Sequence, residues 1–170
     1  GLKVESLACD LDSFVEGRRL DDNAHMMLRF QAKNGVTAKG MLWASQVAVG
    51  NENGLSLKIY GTKAGLEWHQ EEPNRLWFQR LGEPKQLLTR GGDGAWPDAA
   101  AVTRIPAGHP EGYLEGFASI YSETADLIAA HEAGIEAPSA VALPSIEDGI
   151  EGLAFIEACV TSSKDNGAWT

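Results

Sequence analysis

Apolar and polar residues alternate in the middle of the chain, after a polar corner at residues 50–54. Every second residue is apolar from Leu55 to Tyr60, which is the period of a strand with one buried face. Another apolar pattern covers residues 36–49 and leads into the corner. Asn53-Gly54 is a strong hairpin signal, because both residues adopt a positive φ at low cost. The pattern therefore predicts two antiparallel neighbouring strands joined by this corner.

Five further segments have the length and composition of strands, at residues 2–11, 24–30, 66–68, 76–81 and 86–89. Asn34-Gly35 predicts a second hairpin, which would join residues 24–30 to the strand that begins at Val36. The chain is thus expected to contain about seven strands, and no helical pattern interrupts them.

Two helical patterns follow the strands. The first is predicted to begin at Pro110, which suits the first turn of a helix. The second opens with the spacing of a capping box, Ser145 with Asp148 in place of the usual Glu. Gly149 and Gly152 would each cost the second helix about 1 kcal/mol relative to alanine, so we expect a neighbouring backbone to approach them closely.

Each helix has apolar residues at spacings of three and four, and the stripe of the first helix is expected to pack on the sheet. The first stripe comprises Tyr113, Leu114, Phe117, Ile120, Tyr121, Thr124, Leu127 and Ile128, and the second comprises Ile146, Ile150, Leu153, Ile156 and Val160.

A run of strands followed by two helices is typical of an α+β fold. We predict a single domain over residues 1–170, with an antiparallel-dominated open sheet of about 6–8 strands and two long helices on one face. Four aromatic residues lie on the predicted strands, Trp43, Trp68, Trp77 and Phe78, more than a water-facing sheet displays. We expect the uncovered face to carry them into contact with a second subunit; the alternative is that these rings face the helices.

The composition limits the partners of the chain. Its 170 residues carry a net charge of -10, so phosphate backbones and anionic membranes would be repelled. We therefore expect no nucleic acid and no membrane among the partners, and no apolar run approaches the roughly 18 residues of a spanning helix. Cys9 and Cys159 stand far apart in apolar contexts, which is typical of reduced, buried thiols in a cytoplasmic protein. A disulfide between them is the minor alternative.

The sequence contains none of the motifs that would indicate a cofactor, a metal or a catalytic group. It has no GxGxxG, and Gly91, Gly92 and Gly94 neither follow a long strand nor open a helix, so they do not predict a dinucleotide site. The turn at residues 69–73 contains a histidine and two glutamates, but no second ligand group has metal-site spacing, and we expect a solvated hairpin tip. The residues alone thus predict no catalytic residue, no bound cofactor and no metal.

Two polar groups are expected to project from the ends of the sheet. Asn51 and Asn53 flank a glutamate in the corner, and such a group can hydrogen-bond the vicinal hydroxyls of a sugar or polyol. The same residues are also ordinary turn formers. His109 and Tyr113 stand at the start of the first helix, where a histidine can act as an acid or orient a ligand. A substitute for a helix cap explains His109 equally well.

Three segments carry a resemblance to a known family. They are IYGTKAGLEW at residues 59–68, HPEGYLEGFASIYSE at residues 109–123 and EDGIEGLAFIEACVTSSKDNGAW at residues 147–169. In this order and at this spacing, the chain resembles the C-terminal domain of the glucose-fructose oxidoreductase and inositol dehydrogenase family (Gfo/Idh/MocA), over nearly its whole length.

The resemblance implies that a Rossmann domain precedes this domain in the same parent chain and binds NAD or NADP. It places Asn51 and Asn53 just before the strand that ends at Gly61, and His109 and Tyr113 at the start of the long helix, all beside a substrate cleft. The family's catalytic lysine and its DxxxH segment have no counterpart here, so the chain is not expected to catalyse alone.

The resemblance thus predicts a substrate-binding and oligomerisation domain of an NAD(P)-dependent oxidoreductase. The parent would act on the CH–OH group of a sugar, a polyol or a similar hydroxylated substrate, and the partners would be a sugar-like small molecule, the Rossmann domain and further copies of the chain.

Two alternatives belong to other functional classes. One is a stand-alone oligomerisation or small-ligand binding module without a redox role. The other is an isomerase or lyase, which requires an acid and a base that converge. The sequence offers only His109 with Glu111 or Glu115 for that pair.

Overall fold

Seven strands and three helices form the described part of the computed structural model, which covers residues 2–32, 34–92, 96–138 and 143–170. The predicted α+β class is confirmed, and every strand pair among these residues is antiparallel. The elements are β1 (Leu2–Asp12), β2 (Asn23–Ala32), β3 (Thr37–Ser45), β4 (Ser56–Tyr60), β5 (Ala64–His69), β6 (Arg75–Arg80), β7 (Gln86–Thr89), α1 (Pro97–Ala101), α2 (Tyr113–Ala133) and α3 (Ile146–Lys164).

The strands form two open sheets, one of three strands in the order β1-β2-β3 and one of four in the order β4-β5-β6-β7. The prediction that the strands around the corner at residues 50–54 are neighbours was wrong, because β3 pairs with β2 and β4 pairs with β5. β3 already ends at Ser45, whose hydroxyl accepts a hydrogen bond from the backbone N–H of Val47. Gln46 donates its backbone N–H to the carbonyl of Asp22. These bonds lead the chain out of the ladder before the hairpin signal is reached.

The chain divides into two compact units, Gly1–Gly50 with Pro144–Thr170 and Asn51–Leu143. In the first unit, α3 packs on β1, and their inward residues form a buried core. Burial raises the pKa of the Cys9 thiol to about 12, and Cys159 lies in the same core. Both cysteines are free and buried, as the sequence predicted. The core residues are Leu7, Cys9, Ala24, Met26, Leu28 and Cys159, with Leu11, Phe30, Phe155 and Ala158 partly buried beside them.

The end of α3 and the C-terminal tail provide hydrogen-bond partners along one edge of β1. Leu7 and Thr170 exchange two backbone hydrogen bonds of 2.9 Å. The next two N–H groups along this edge are those of Cys9 and Leu11. They donate to the hydroxyls of Ser162 and Ser163 at 2.8 and 3.1 Å, respectively. The part of this edge strand from Leu7 to Leu11 is therefore covered, which removes a template for pairing with another chain there.

The capping box at the start of α3 is confirmed. The Ser145 backbone N–H donates to Asp148 Oδ2 at 2.7 Å, and the Asp148 backbone N–H donates to Ser145 Oγ at 3.2 Å. The close approach expected at Gly149 and Gly152 was wrong, since a methyl group at either position would meet no atom within 4 Å.

The apolar stripes of both long helices are largely exposed. In α3 the core-facing residues are Phe155, Ala158 and Cys159, whereas Ile146, Ile150, Leu153 and Ile156 of the predicted stripe are more than half exposed. The stripe of α2 is likewise not buried on a sheet, and this helix begins at Tyr113 rather than at Pro110. The exposed members of the α2 stripe include Tyr113, Leu114, Phe117, Ile120, Tyr121 and Ile128.

The four-stranded sheet of the second unit has one apolar and one polar face, because cross-strand partners share a face. The predicted collection of aromatics on one face was wrong. Trp68 and Phe78 lie on the apolar face, Trp77 lies opposite, and Trp43 belongs to the other sheet. The apolar face carries Leu57, Ile59, Leu66, Trp68, Leu76, Phe78 and Leu88 beside Ala64, Arg80 and Gln86, and the polar face includes Lys58, Glu67, Trp77 and Gln79.

Candidate functional site

A cleft of about 660 Å³ lies in the second unit, where the β5–β6 turn and the end of β7 meet the segment that leads into α2. It is lined by residues 71–75, 89–90 and 108–115. The cleft thus brings together the β5–β6 turn, the end of β7 and the start of the long helix α2.

Arg90, directly after β7, occupies the centre of the polar wall. Its Nε donates to Asn74 Oδ1 at 2.7 Å, and its Nη2 donates to the carbonyl of His109 at 2.7 Å. Its Nη1 donates to the carbonyl of Ile105 and lies 2.6 Å from Glu111 Oε2. The side chains of Arg90 and Glu111 are only 17% and 6% exposed. A single, largely buried guanidinium thereby holds the segment before α2 against the end of the sheet.

Asn74 and Glu111 complete this arrangement. The Asn74 amide donates to the Glu111 carbonyl at 2.9 Å, and Glu111 Oε1 accepts the backbone N–H of Arg104 at 2.5 Å. Asn74 and Arg90 were not among the predicted site residues. Their proximity arises only in the folded sheet, where Arg75 pairs with Thr89 and the preceding and following residues are therefore neighbours.

The N-terminus of α2 is closed by its own glutamate. The backbone N–H of Gly112 donates to Glu115 Oε2 at 2.9 Å. This hydrogen bond is the main reason why the pKa of Glu115 lies below its usual range. Glu115 is consequently ionised at neutral pH, and its carboxylate is hydrogen-bonded to the backbone.

The predicted site residues His109 and Tyr113 both line the cleft, and both are exposed. The ring of Tyr113 meets that of Phe117 edge to face at 5.1 Å. Gly108, just before the histidine, has a φ of 84°, a conformation that favours glycine. The geometry thus brings together two of the four predicted residues.

The predicted residues Asn51 and Asn53 lie in the loop before β4. The Asn53 backbone N–H donates to Glu71 Oε1 at 3.1 Å, and Glu71 lines the cleft. Asn51 folds over its own loop, since a methyl group on Gly54 would lie 2.9 Å from the Asn51 amide oxygen. The loop with both asparagines is therefore tied to the rim of the cleft through Glu71.

The arginines and glutamates that line the cleft pair with one another. Arg90 pairs with Glu111, and Arg75 pairs with Glu72 at 2.8 Å. Both arginines are thus engaged, and Glu71 and Glu115 add negative charge to the lining. Such a cleft suits an uncharged ligand with hydroxyl groups better than a phosphate or a carboxylate.

The same bonds argue against an acid–base pair around His109. Glu111 is held by Arg90 and by the backbone of Arg104, and Glu115 is held by the backbone of Gly112. Neither carboxylate is poised as a general base, which the isomerase or lyase alternative requires.

The acidic turn at residues 69–73 connects β5 and β6. His69 Nε2 contacts Glu67 Oε1 on the polar face of the sheet at 3.0 Å. Glu67 also receives Lys85 at 2.9 Å and Lys58 at 3.4 Å, and these partners, Lys85 foremost, lower the pKa of Glu67 to about 2. Within the described ranges, no three His, Cys, Asp or Glu side chains are grouped as a metal site.

The described residues do not fit a dinucleotide. Gly91 and Gly92 follow the four-residue strand β7, and Gly94 lies outside the described residues. The described strands pair only antiparallel, whereas the dinucleotide cradle is built on parallel βαβ units. Among the helices that the structure describes, none is long and apolar enough to span a membrane.

Comparison with known proteins places these features in a family. Residues 3–169 match the family model described as "Oxidoreductase family, C-terminal alpha/beta domain" of the Gfo/Idh/MocA group. YfiI of Bacillus subtilis (strain 168), an uncharacterized oxidoreductase, is 37% identical over 99% of this chain and 42% of its own length.

Two crystal structures show the same fold. The oxidoreductase from Sinorhizobium meliloti is 60% identical with a TM-score of 0.92, over 99% of this chain and 47% of that one. An inositol dehydrogenase homolog from Azotobacter vinelandii, in complex with NADH and myo-inositol, is 34% identical with a TM-score of 0.86, over 99% and 44% of the two chains. The present chain therefore spans less than half the length of these relatives.

Proposed function

The chain belongs to the C-terminal alpha/beta domain family of the Gfo/Idh/MocA oxidoreductases, and on this basis we propose that it is the substrate-binding domain of an NAD(P)-dependent dehydrogenase of sugars or polyols. The observation that carries the proposal is the cleft in front of α2. It combines His109, Tyr113 and the rim to which the loop of Asn51 and Asn53 is tied.

The lining of the cleft supports an uncharged polyhydroxylated substrate. The imidazole, the phenol and the two amides can each donate or accept hydrogen bonds. Arg90 is held by Glu111 in a largely buried pair, and Arg75 is paired with Glu72 at the exposed rim, so an anionic group would compete with a glutamate for either arginine. Binding and orientation of hydroxyl groups is accordingly the role that we assign to this chain.

The redox chemistry belongs to the rest of the parent protein in this proposal. A relative of 34% identity forms a complex with NADH and myo-inositol, which supports a nicotinamide cofactor in the parent. Because the described residues do not fit a dinucleotide, we expect a Rossmann domain of the same parent chain to bind NAD or NADP. That domain is also a natural partner for the exposed apolar stripes of α2 and α3.

The test is steady-state NAD⁺ and NADP⁺ reduction by the intact protein with a panel of neutral cyclitols and sugars, together with a phosphorylated and an acidic sugar. We expect a neutral polyol to be the best substrate. Asn51→Ala, Asn53→Ala, His109→Ala and Tyr113→Phe should each raise the KM of that polyol, by about tenfold for each lost hydrogen bond.

Matched controls come from the same helix. Tyr121→Phe and His131→Ala change the same residue types farther along α2, and they should leave the KM within about twofold. Cleft variants that bind the polyol as well as the wild type does would refute the assignment. Polyol binding without any reduction of NAD⁺ or NADP⁺ would favour the stand-alone binding module instead.

We further propose that the apolar face of the four-stranded sheet contacts a second copy of the chain. Leu57, Ile59 and Leu88 on this face remain 55%, 51% and 43% exposed. A contiguous apolar surface of this kind is typical of an interface, and symmetric homo-oligomers are its commonest use.

Light scattering of the 170-residue chain measures this directly. We expect the mass of a dimer or a higher oligomer, and a Leu57→Lys/Ile59→Lys double variant should shift the mass to that of a monomer, because it places two charges in the interface. Tyr60→Lys on the opposite face of the same strand is the control and should keep the oligomer. A monomeric wild-type chain would contradict the proposal.

A further inference from the structure

The segment before α2 has no regular secondary structure of its own between Arg104 and Gly112. It nevertheless carries His109 and leads into Tyr113, so its position decides where two cleft side chains lie. Arg90 contributes to holding it in place, with bonds to the carbonyls of Ile105 and His109 and a contact to the carboxylate of Glu111. The carbonyl of Pro106 is a weaker acceptor at 3.4 Å.

All three nitrogens of the guanidinium take part. Nη1 and Nη2 reach the segment before α2, and Nε reaches Asn74 in the β5–β6 turn. A planar fork with five donors can serve several acceptors in fixed directions, whereas a lysine ammonium offers one compact charge. A lysine at position 90 therefore could not make the same set of hydrogen bonds.

We propose that Arg90 is a positioning residue of the substrate cleft, which acts on the ligand through the placement of His109 and Tyr113. Arg90 is not assigned a bond to the substrate itself, because its donors are already engaged by protein acceptors. The inference rests on the proposed function of the cleft.

The first test uses Arg90→Lys in the intact protein. The lysine keeps the positive charge opposite Glu111 but lacks the planar set of five N–H donors of the guanidinium. We expect the polyol KM to rise about tenfold while the KM of the nicotinamide cofactor stays within about twofold. Asn74→Ala is the second variant, and it removes the partner of Nε together with the bond to the Glu111 carbonyl. It keeps the Arg90–Glu111 pair and the bonds of Arg90 to the segment before α2, so it should raise the polyol KM by less than Arg90→Lys does, about threefold.

A control separates positioning from loss of stability. Asp22 organises a loop of the other unit in a comparable way, because its carboxylate accepts the backbone N–H groups of Phe14 and Val15 at 2.9 and 3.0 Å. Asp22→Asn should lower the melting temperature and leave the polyol KM unchanged. An equal rise of the polyol KM in Asp22→Asn and Arg90→Lys would overturn the proposal, as would an unchanged polyol KM in both Arg90→Lys and Asn74→Ala.

A rescue experiment adds a readout that a purely structural role would not move. Methylguanidinium at millimolar concentration should restore part of the polyol affinity of Arg90→Ala and none of that of His109→Ala. Absence of rescue in a folded Arg90→Ala protein contradicts the proposal. Normal polyol binding by His109→Ala and Tyr113→Phe would refute the substrate site. Impaired binding by these variants together with normal binding by Arg90→Lys would refute only the positioning role.

Discussion

Ser162→Ala is expected to lower the free energy of unfolding of the 170-residue chain by about 2–4 kcal/mol, because it leaves two polar groups without a partner. The hydroxyl of Ser162 accepts the backbone N–H of Cys9 at 2.8 Å and donates to the carbonyl of Ala168 at 2.7 Å. Ser162 is 1% exposed, so water cannot replace the lost hydroxyl. Urea denaturation followed by circular dichroism measures the change.

The neighbouring serine provides a matched control. Ser163 Oγ accepts the backbone N–H of Leu11 at 3.1 Å in a partly exposed position, where water can take over the bond. Ser163→Ala should therefore cost less than about 1 kcal/mol. Equal losses for the two variants would contradict the account of the buried edge of β1.

Leu7→Ala should lower the free energy of unfolding by about 2–5 kcal/mol through lost burial and a cavity in the core of the first unit. Leu7 is 2% exposed and belongs to the buried cluster between β1, β2 and α3. Its backbone also exchanges hydrogen bonds with Thr170. A cavity there is thus expected to loosen the contact of the C-terminal tail as well, which hydrogen exchange of the Leu7 and Thr170 amides would detect.

Leu2→Ala on the same strand is the control for this prediction. Leu2 is 52% exposed, so its truncation should change the free energy of unfolding by no more than about 0.5 kcal/mol. If Leu7→Ala were as mild as Leu2→Ala, the core would lie elsewhere than the packing of α3 on β1 indicates.

Local signals in the sequence predicted the elements well. Strict alternation at residues 55–60 corresponds to β4, the Asn34-Gly35 hairpin joins β2 to β3, and Ser145 with Asp148 opens α3. Each of these features depends on residues a few positions apart, so the chemistry that determines it can be read from a short stretch of chain.

Features that depend on distant residues were predicted less well. The face of α3 that packs on β1 holds Phe155, Ala158 and Cys159 rather than the more apolar stripe. Hydrophobicity shows which side of a helix avoids water, but not which partner covers it. In this chain the richer stripe stays exposed, which the periodicity alone does not reveal.

The candidate site shows the same division. His109, Tyr113 and the asparagine corner are predicted site residues because of their residue types next to predicted turns and a helix start. Arg90 and Asn74 had no such signal, because their role arises when the β6–β7 ladder places them side by side. Several of their bonds go to backbone carbonyls, which a residue of any type would supply, so these bonds leave no mark in the sequence of the segment before α2.

The order of the strands and the two long helices, the β2–β3 hairpin, the cap of α3 and the family follow from the amino-acid sequence, since each rests on local propensity or on a motif of nearby residues. Three features depend on the folded chain. They are the partition of the strands into two sheets, the inward face of α3 and the bonds by which Arg90 holds the segment before α2. These contacts join residues far apart in sequence, and the free energy that selects them comes from burial and from the pairing of polar groups that only the assembled fold brings within reach.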